Sequence, residues 1–354
     1  MVRVVVDASY AGRGRSGSAV YIEQLIAALR ARGEVEVVEV RQRRRLAPGR
    51  AGDGRRSIAR SGANALLDAI WLNIGLPRAA RRERADVVHH PLPALARSSP
   101  CAQVATFHDV AFERLPDRYD RAWRMLAGRA YRRAAQGAAA VVCVSEATAA
   151  DVATLLGAPR ERIVVAPHGP GQPLPAAPRP DAARHFLYVG DAEPRKNVGG
   201  LLAQYARYRE GRERPLGLVL AGESASAATG DGVSGERSPE PERLAVLLAE
   251  AAALVHPSLD EGFGLTLLEA LAAGTPVVAV RNRGTEEAVG RAALLAEPEG
   301  IAAALGRIAD DAELRRELAD RGRERAREFS WERSARLHEQ AYTLAAETYG
   351  GGTS

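Results

Sequence analysis

The sequence predicts an α/β protein built from two doubly wound, parallel-sheet domains, and three observations predict it. The chain has 354 residues, 46% of them apolar and 26% charged, enough for two domains of ordinary size with a core each. Short all-apolar runs such as Val277 to Val280 alternate with stretches of helical periodicity, as in sheets whose strands are linked by crossover helices. Five prolines between Pro170 and Pro180 then divide the chain, so residues 171–183 read as a stiff hinge.

In the first half, Val2 to Val6 is a strand ended by Asp7-Ala8-Ser9. A loop rich in Gly, Arg and Ser runs from Gly12 to Ser18, and a helix begins near Ala19 with Tyr21, Ile22, Leu25, Ile26 and Leu29 on one face. Strand, glycine loop, helix is the layout of a phosphate or sugar site at the carboxyl edge of a parallel sheet, which nominates Ser16 and Gly17. Val35 to Val40 is a second strand, the polar stretch Arg41 to Ser61 an exposed loop, and Ala63 to Leu76 a helix. Val87 and Val88 lead to His89 and His90 at a strand end. The apolar strand from Val104 delivers His108 and Asp109 to its carboxyl end, where doubly wound sheets present reactive groups. An arginine-rich helix covers Arg121 to Gln136, and Ala138 to Val144 is a buried strand. Ser145 is placed to cap a helix over Ala147 to Leu156, and Ile163 to Val165 with Pro167-His168-Gly169 closes the half.

The second half opens with a strand from His185 to Val189, then Gly190 and Asp191-Ala192-Glu193-Pro194-Arg195-Lys196-Asn197. Lys196 is the one lysine among 49 basic residues. A compact ammonium is a point charge that a guanidinium cannot imitate, so its retention beside Arg195 points to a specific anion. Asn197 to Arg207 is a helix and Leu216 to Ala221 a strand. Residues 222–242 are low in apolar residues and read as loop, Leu244 to Ala253 as helix and Leu254 to Pro257 as strand. Gly262 and Gly264 then bracket Phe263 in a turn that opens a short helix at Leu265 and Thr266, stopped by Gly274 and Pro276. The free N–H donors of that helix start suit a phosphate, while Glu261 and Glu269 suit sugar and ribose hydroxyls. Arg283 to Glu287 reads as a loop at the cleft, Ala302 to Ala309 and Ala312 to Glu328 as helices, and Phe329-Ser330-Trp331 as the start of a last helix to about Ala346.

Glu261, seven intervening residues and Glu269, with Gly-Phe-Gly-Leu between and Ala-Gly-Thr-Pro-Val-Val after, resemble the E-x7-E signature of the retaining glycosyltransferases of family 4. The resemblance implies a GT-B fold, two Rossmann-like domains facing across a cleft: residues 1–170 on the acceptor side, 184–328 binding the nucleotide sugar, and 329–346 a helix returning to the first domain with Trp331 as anchor. It also implies roles. Arg195 and Lys196, beyond Gly190, neutralise the nucleotide diphosphate, and Ser16 and Gly17 lie against donor diphosphate and acceptor. His108 and Glu261 contact the transferred sugar, Asp109 orients His108 or binds acceptor, Glu269 binds the ribose, and the Gly262, Phe263, Gly264, Leu265, Thr266 segment cradles the donor. The strand-end His89 and His90 either face the acceptor or are structural. The implied reaction moves a hexose, mannosyl- or glucosyl-like, from a nucleoside diphosphate sugar to a glycan, lipid-linked or small-molecule acceptor, with retention of configuration and without metal or other cofactor, as in polysaccharide biosynthesis. The sequence departs from the pattern in keeping one glycine at Ser16-Gly17-Ser18, in His168 where the pattern has Asn, and in a short 222–242 segment that normally helps hold the nucleobase. The same groups also fit a sugar-nucleotide epimerase or a phosphorylase, or an inactive binding subunit recruited to a membrane.

The formal charge of +5 is unevenly placed: residues 1–180 are strongly basic and 181–354 acidic. Arg41, Arg43, Arg44 and Arg45, then Arg78, Arg81, Arg82 and Arg84, suit an acidic lipid surface or a phosphorylated acceptor, or form a solvated face. Nucleic acid is not a predicted partner, because aromatic residues are 5% of the chain and none interleaves these clusters. No run approaches the ~18 apolar residues of a membrane span and the chain starts on a strand without a signal peptide, which predicts a cytosolic protein in peripheral contact with the membrane at most. Cys101 and Cys143 read as buried thiols.

Overall fold

The structure is a computed structural model that describes residues 1–11, 16–42, 54–171 and 183–350, with side chains omitted for 54–61. In the first half the elements are β1 (Val2–Asp7), α1 (Gly17–Arg32), β2 (Val35–Val40), α2 (Gly54–Ile70), a π-helical turn (Trp71–Gly75), α3 (Leu76–Arg82), β3 (Val87–His90), β4 (Ala102–Phe107), α4 (Ala111–Arg114), α5 (Arg121–Gly137), β5 (Ala140–Cys143), α6 (Glu146–Leu156) and β6 (Ile163–Val165). The second half has β7 (His185–Val189), α7 (Val198–Arg209), β8 (Gly217–Ala221), β9 (Val233–Glu236), α8 (Pro241–Glu250), β10 (Ala251–His256), α9 (Leu265–Ala272), β11 (Val277–Val280), α10 (Arg283–Val289), β12 (Leu294–Ala296), α11 (Ile301–Asp310), α12 (Ala312–Ala326) and α13 (Trp331–Gly350).

Two six-stranded sheets result, ordered β2-β1-β3-β4-β5-β6 and β12-β11-β10-β7-β8-β9, with every pairing parallel. Their central strands are buried on both faces by helices, which is why Val4 to Val6, Val141 to Cys143 and Val277 to Val280 are continuous apolar runs and not alternating ones. Strand order reverses between β1 and β3 in the first sheet and between β7 and β10 in the second. Open parallel sheets form their ligand crevices outside the carboxyl ends of strands at such points.

Four expectations need correction. The stretch Arg41 to Ser61 is not all loop, since α2 starts at Gly54, and its continuation passes through the π turn to α3 at Arg82. Residues 43–53, with three arginines of the first basic cluster, lie outside the described residues, as do Gly12 to Arg15 of the glycine loop and 172–182 of the hinge. The segment 222–242 holds a 3-10 turn and β9, whose Val233-Ser234-Gly235-Glu236 extends the sheet at its edge. An edge strand has a single covered side, so it needs no apolar run. Ala251 to Ala253 belongs to β10 and not to the preceding helix, and Arg283 to Glu287 opens α10, capped by the Asn282 side chain, which accepts from Thr285 N–H at 2.9 Å.

The last helix crosses to the first sheet and packs on α1 and β4 to β6. A buried polar chain joins it there. Tyr21 Oη lies 2.9 Å from Thr106 Oγ1 and 2.8 Å from His338 Nε2, His89 Nε2 lies 2.8 Å from the same Thr106, and Tyr342 Oη lies 2.9 Å from His89 Nδ1. His89 is thus structural. Trp331 donates to the Pro170 carbonyl at 2.9 Å and stacks on His168 at 5.3 Å. Burial drives the imidazoles toward neutrality: His338 is lowered to about 4, and His89 and His168 fall well below the ordinary value. Between pH 6.5 and 4 the unfolded chain therefore binds more protons than the folded one, and stability falls as pH falls. The urea midpoint is expected to drop between pH 7 and pH 5, each of the three histidines contributing up to about 2 kcal/mol. An unchanged midpoint over that interval would contradict the buried network.

Candidate functional site in the interdomain cleft

The reversal between β7 and β10 fixes where the second half gathers its charged groups. After β7 the chain turns at Gly190 and makes a 3-10 turn over Pro194–Lys196, closed by Asn197 at φ 52. After β10 it runs through Leu259, whose N–H donates to the Arg195 carbonyl at 2.9 Å, and so the two strand ends are tied together. Lys196 Nζ consequently meets Glu261 Oε1 at 2.5 Å, and Arg195 Nη1 donates to Glu261 Oε2. The Glu261 side chain is 6% exposed, and the His256 imidazole reaches within 3.7 Å of its carboxylate. Lys196 therefore lies beside the glycine turn, and Glu261 is ion-paired with both cations.

The glycines of the turn are required by close approach. A Cβ on Gly262 would stand 1.6 Å from the His108 carbonyl oxygen of the first half, and Gly264, at φ 89, holds the conformation that starts α9. Phe263 is buried between His168 and Phe329 in edge-to-face contacts, so its side chain packs the interface and only its backbone borders the cleft. Leu265 and Thr266 form the first turn of α9. Leu265 approaches Gly17, where a Cβ would lie 3.6 Å from its Cδ1, and the Glu269 carboxylate one turn on fills the space beside Gly171. Ser16 uses its hydroxyl to cap α1, accepting from Ala19 N–H at 3.3 Å.

From the first half, β4 presents His108, whose Nε2 stands 2.9 Å from the Pro91 carbonyl, and Asp109, 3.6 Å from Arg195. Further ties cross the cleft. Arg114 of the first half pairs with Asp260 of the second at 3.1 Å, and Arg283 of the second pairs with Asp151 of the first, which Arg114 also approaches at 3.4 Å within its own half. Glu287 accepts from the Glu146 and Ala147 N–H groups at 2.7 and 3.0 Å, which places a carboxylate at the start of α6. Asp109, Thr148, Asp151, Glu261 and Arg283 surround a remnant cavity of ≈ 10 Å³, room for about one water.

Electrostatics explains why this arrangement holds. Burial alone would raise the Glu261 pKa, yet Lys196, Arg195 and His256 outweigh it and hold the acid far below the carboxylate range. Burial also opposes charge on Arg195, but Glu261, Asp109 and Glu193 raise it further. Asp260 differs: burial pushes it up to about 6 despite Arg114. Burial lowers His108, with Pro91 and Asp109 opposing. Among the described residues no group of three or more His, Cys, Asp or Glu could hold a metal ion. Asp260, next to the motif, and Arg283, in the segment read as lying at the cleft, were open to notice from sequence; Arg114 and Asp151 carry no local signal, and only folding brings them there.

Two facing Rossmann-like sheets, with cations and carboxylates at the switch point of the second, define a GT-B architecture of the glycosyltransferase class. Residues 15–169 match the Glycosyltransferase Family 4 model and residues 175–328 the Glycosyl transferases group 1 model, and the chain belongs to this family of GT-B glycosyltransferases. It is similar to O-antigen chain mannosyltransferase B of Escherichia coli, 29% identical over 266 residues that cover 68% of this chain and 70% of that protein. It is also similar to MMP alpha-(1->4)-mannosyltransferase of Mycolicibacterium hassiacum, 35% identical over 218 residues that cover 57% of this chain and 53% of that protein. The fold resembles sucrose-phosphate synthase of Thermosynechococcus elongatus (TM-score 0.71, 19% identity, 97% of this chain and 98% of that one). It also resembles Anabaena HepE in complex with UDP-glucose (TM-score 0.67, 15% identity, 97% and 100%).

Glu261 holds Lys196 Nζ and one nitrogen of Arg195, and so competes for both cations with any anion added from solution. Glu261→Gln removes that competition, and inorganic pyrophosphate is expected to bind the variant about tenfold or more tightly than the parent by calorimetry, roughly 1.4 kcal/mol. Weaker binding to the variant would show that Glu261 supports the anion site instead of competing with it.

Proposed function

We propose that the chain transfers a hexose, mannosyl- or glucosyl-like, from a nucleoside diphosphate sugar to a glycan, lipid-linked or small-molecule acceptor, with retention at the anomeric carbon and without a metal ion. The observation that carries this reading is the convergence of Arg195 and Lys196 on one carboxylate at the β7/β10 switch point. Such a pair can neutralise a leaving diphosphate from fixed positions, where charge stabilisation costs no reorganisation. The cations turn from Glu261 to the diphosphate as it binds, and Glu261 then reaches the sugar hydroxyls. Glu269, the start of α9 and Gly190 serve the ribose and phosphates; His108 meets the transferred sugar from the opposite domain.

Asp109, Asp151 and Asp260 border the same space, each within 4 Å of an arginine. A paired carboxylate is a poor nucleophile, which favours front-face departure of the diphosphate with the phosphate oxygen taking the acceptor proton. The 29% identity to a mannosyltransferase supports a hexosyl donor, and the HepE complex supports a nucleotide-sugar one. The exposed arginines Arg78, Arg81, Arg82 and Arg84 support an anionic acceptor or peripheral contact with an anionic membrane. No helix among the described residues is long and apolar enough to cross a membrane.

Lys196→Ala removes one cation from the leaving group while Arg195 still pairs Glu261. It is expected to lower kcat/KM for nucleotide-sugar transfer by about 10²–10³-fold with an unchanged far-ultraviolet spectrum. Near-parental turnover in that variant would defeat the assignment, and an inverted anomer in the product, read by nuclear magnetic resonance, would defeat the retaining course.

A further inference from the structure

The first sheet has its own switch point, between β1 and β3, and a recess is built over it. Asp7 ends β1 and Ser9 and Tyr10 follow it, His90 ends β3 and Pro91 follows it, and together with Trp71 and Asp68 they border a cavity of ≈ 180 Å³. Pro91 is the residue whose carbonyl contacts His108, so the recess adjoins the cleft. On its outer side it meets a larger groove of ≈ 1090 Å³, and Trp71 and Gln42 line both. Leu67, Ile70 and Ala79 form the apolar part of that groove, with Arg41, Arg78 and Arg82 around it.

Trp71 is held between the two spaces by devices that the rest of the fold does not need. It opens the π turn that joins α2 to α3, and such irregular turns are frequent at functional positions. Its indole N–H donates to Asp7 Oδ2 at 3.1 Å, and a Cβ on Gly75 would stand 2.5 Å from its ring. Beyond it, Leu66, Ile70 and Ile74 recur every four residues and are 62%, 45% and 44% exposed. Arg78 and Arg82 continue the same row, both exposed. Arg82 pairs with Glu83 and Arg41 with Glu39, but Arg78 has no ion pair or hydrogen bond among the described residues. A row of uncovered aliphatic side chains leading to guanidinium groups is complementary to one chemistry, an apolar tail joined to an anion.

We propose that recess and groove together bind an amphiphilic acceptor, its hydroxyl-bearing head between Asp7, Trp71 and His90, its phosphate at Arg78 and Arg82, and its apolar tail along Ile70 and Leu67. This rests on the glycosyl-transfer reading for the word acceptor, but not for the binding itself. A phosphate placed there is met by planar, bidentate donors, and the tail removes aliphatic surface from water.

The test uses the full chain with dodecyl phosphate below its micelle concentration, and dodecyl glucoside as a neutral amphiphile of equal tail. Binding is read by tryptophan fluorescence and calorimetry. Dodecyl phosphate is expected to bind at least tenfold more tightly than the glucoside, a preference abolished in Arg78→Gln/Arg82→Gln and weakened by raised salt. Ile70→Asp is expected to weaken both ligands, and Trp71→Phe to remove the fluorescence change. Equal binding of the two amphiphiles, or a preference that survives in the double arginine variant, would overturn the proposal. So would capture by anionic vesicles without binding of the monomeric phosphate, which would make the face a bilayer contact. Thermal shift with nucleoside diphosphates is read in parallel on the same variants and should not change. Loss of that signal in the parent protein would count against glycosyl transfer and leave the groove standing.

Discussion

The Glu261 carboxylate, buried and gripped by Lys196 and Arg195, is the interaction on which the site depends. An isolated charge at that depth would be costly, and each partner alone would leave the others unsatisfied. The two cations therefore hold the Glu261 carboxylate ionised, and they do so across the carboxyl ends of two strands far apart in the chain. The backbone bond from Leu259 to Arg195 sets the distance, and the glycines at 262 and 264 let the loop lie close enough for the bonds to form. Loop geometry and charge are in this sense one constraint.

Closure of the cleft follows from the same place. Gly262 lies on the His108 carbonyl, Asp109 faces Arg195, and Arg114 and Arg283 reach acids of the opposite half. These pairs cross a narrow space and are polar, as contacts between domains that move relative to one another tend to be. The apolar part of the interface is small and aromatic, with His168 between Trp331, Tyr21 and Phe263. That histidine, with Nδ1 unpaired and buried, stands where the resembled pattern has asparagine.

Much of this was legible in the sequence, for physical reasons that differ by element. Strands buried on both faces must be apolar runs, so β1, β5 and β11 announced themselves. The edge strand β9, half covered and polar, did not, and neither did the polar start of α2. Capping was visible where serine preceded a helix, as at Ser145, yet the Arg283 helix was missed although Asn282 signalled it. The cluster at Arg195, Lys196 and Glu261 was legible because glycine turns and a single lysine marked both strand ends. That Glu261 is neutralised by those cations was not, because pairing depends on how two loops approach. Trp71 was hidden inside an ordinary helical pattern, since no local rule reveals a π turn.

The crossing of α13 onto the first sheet has a consequence for how the protein is made. Tyr21 and His89 find part of their hydrogen bonding only in His338 and Tyr342. On the ribosome, the first sheet ends at Val165, and Trp331 emerges only after the whole second sheet has been synthesised. At 5–20 residues per second the nascent amino-terminal half waits roughly ten to thirty seconds for the helix that seals it. During that interval its polar core and the flank of α1 stand open, so chaperone demand should concentrate on the half translated first.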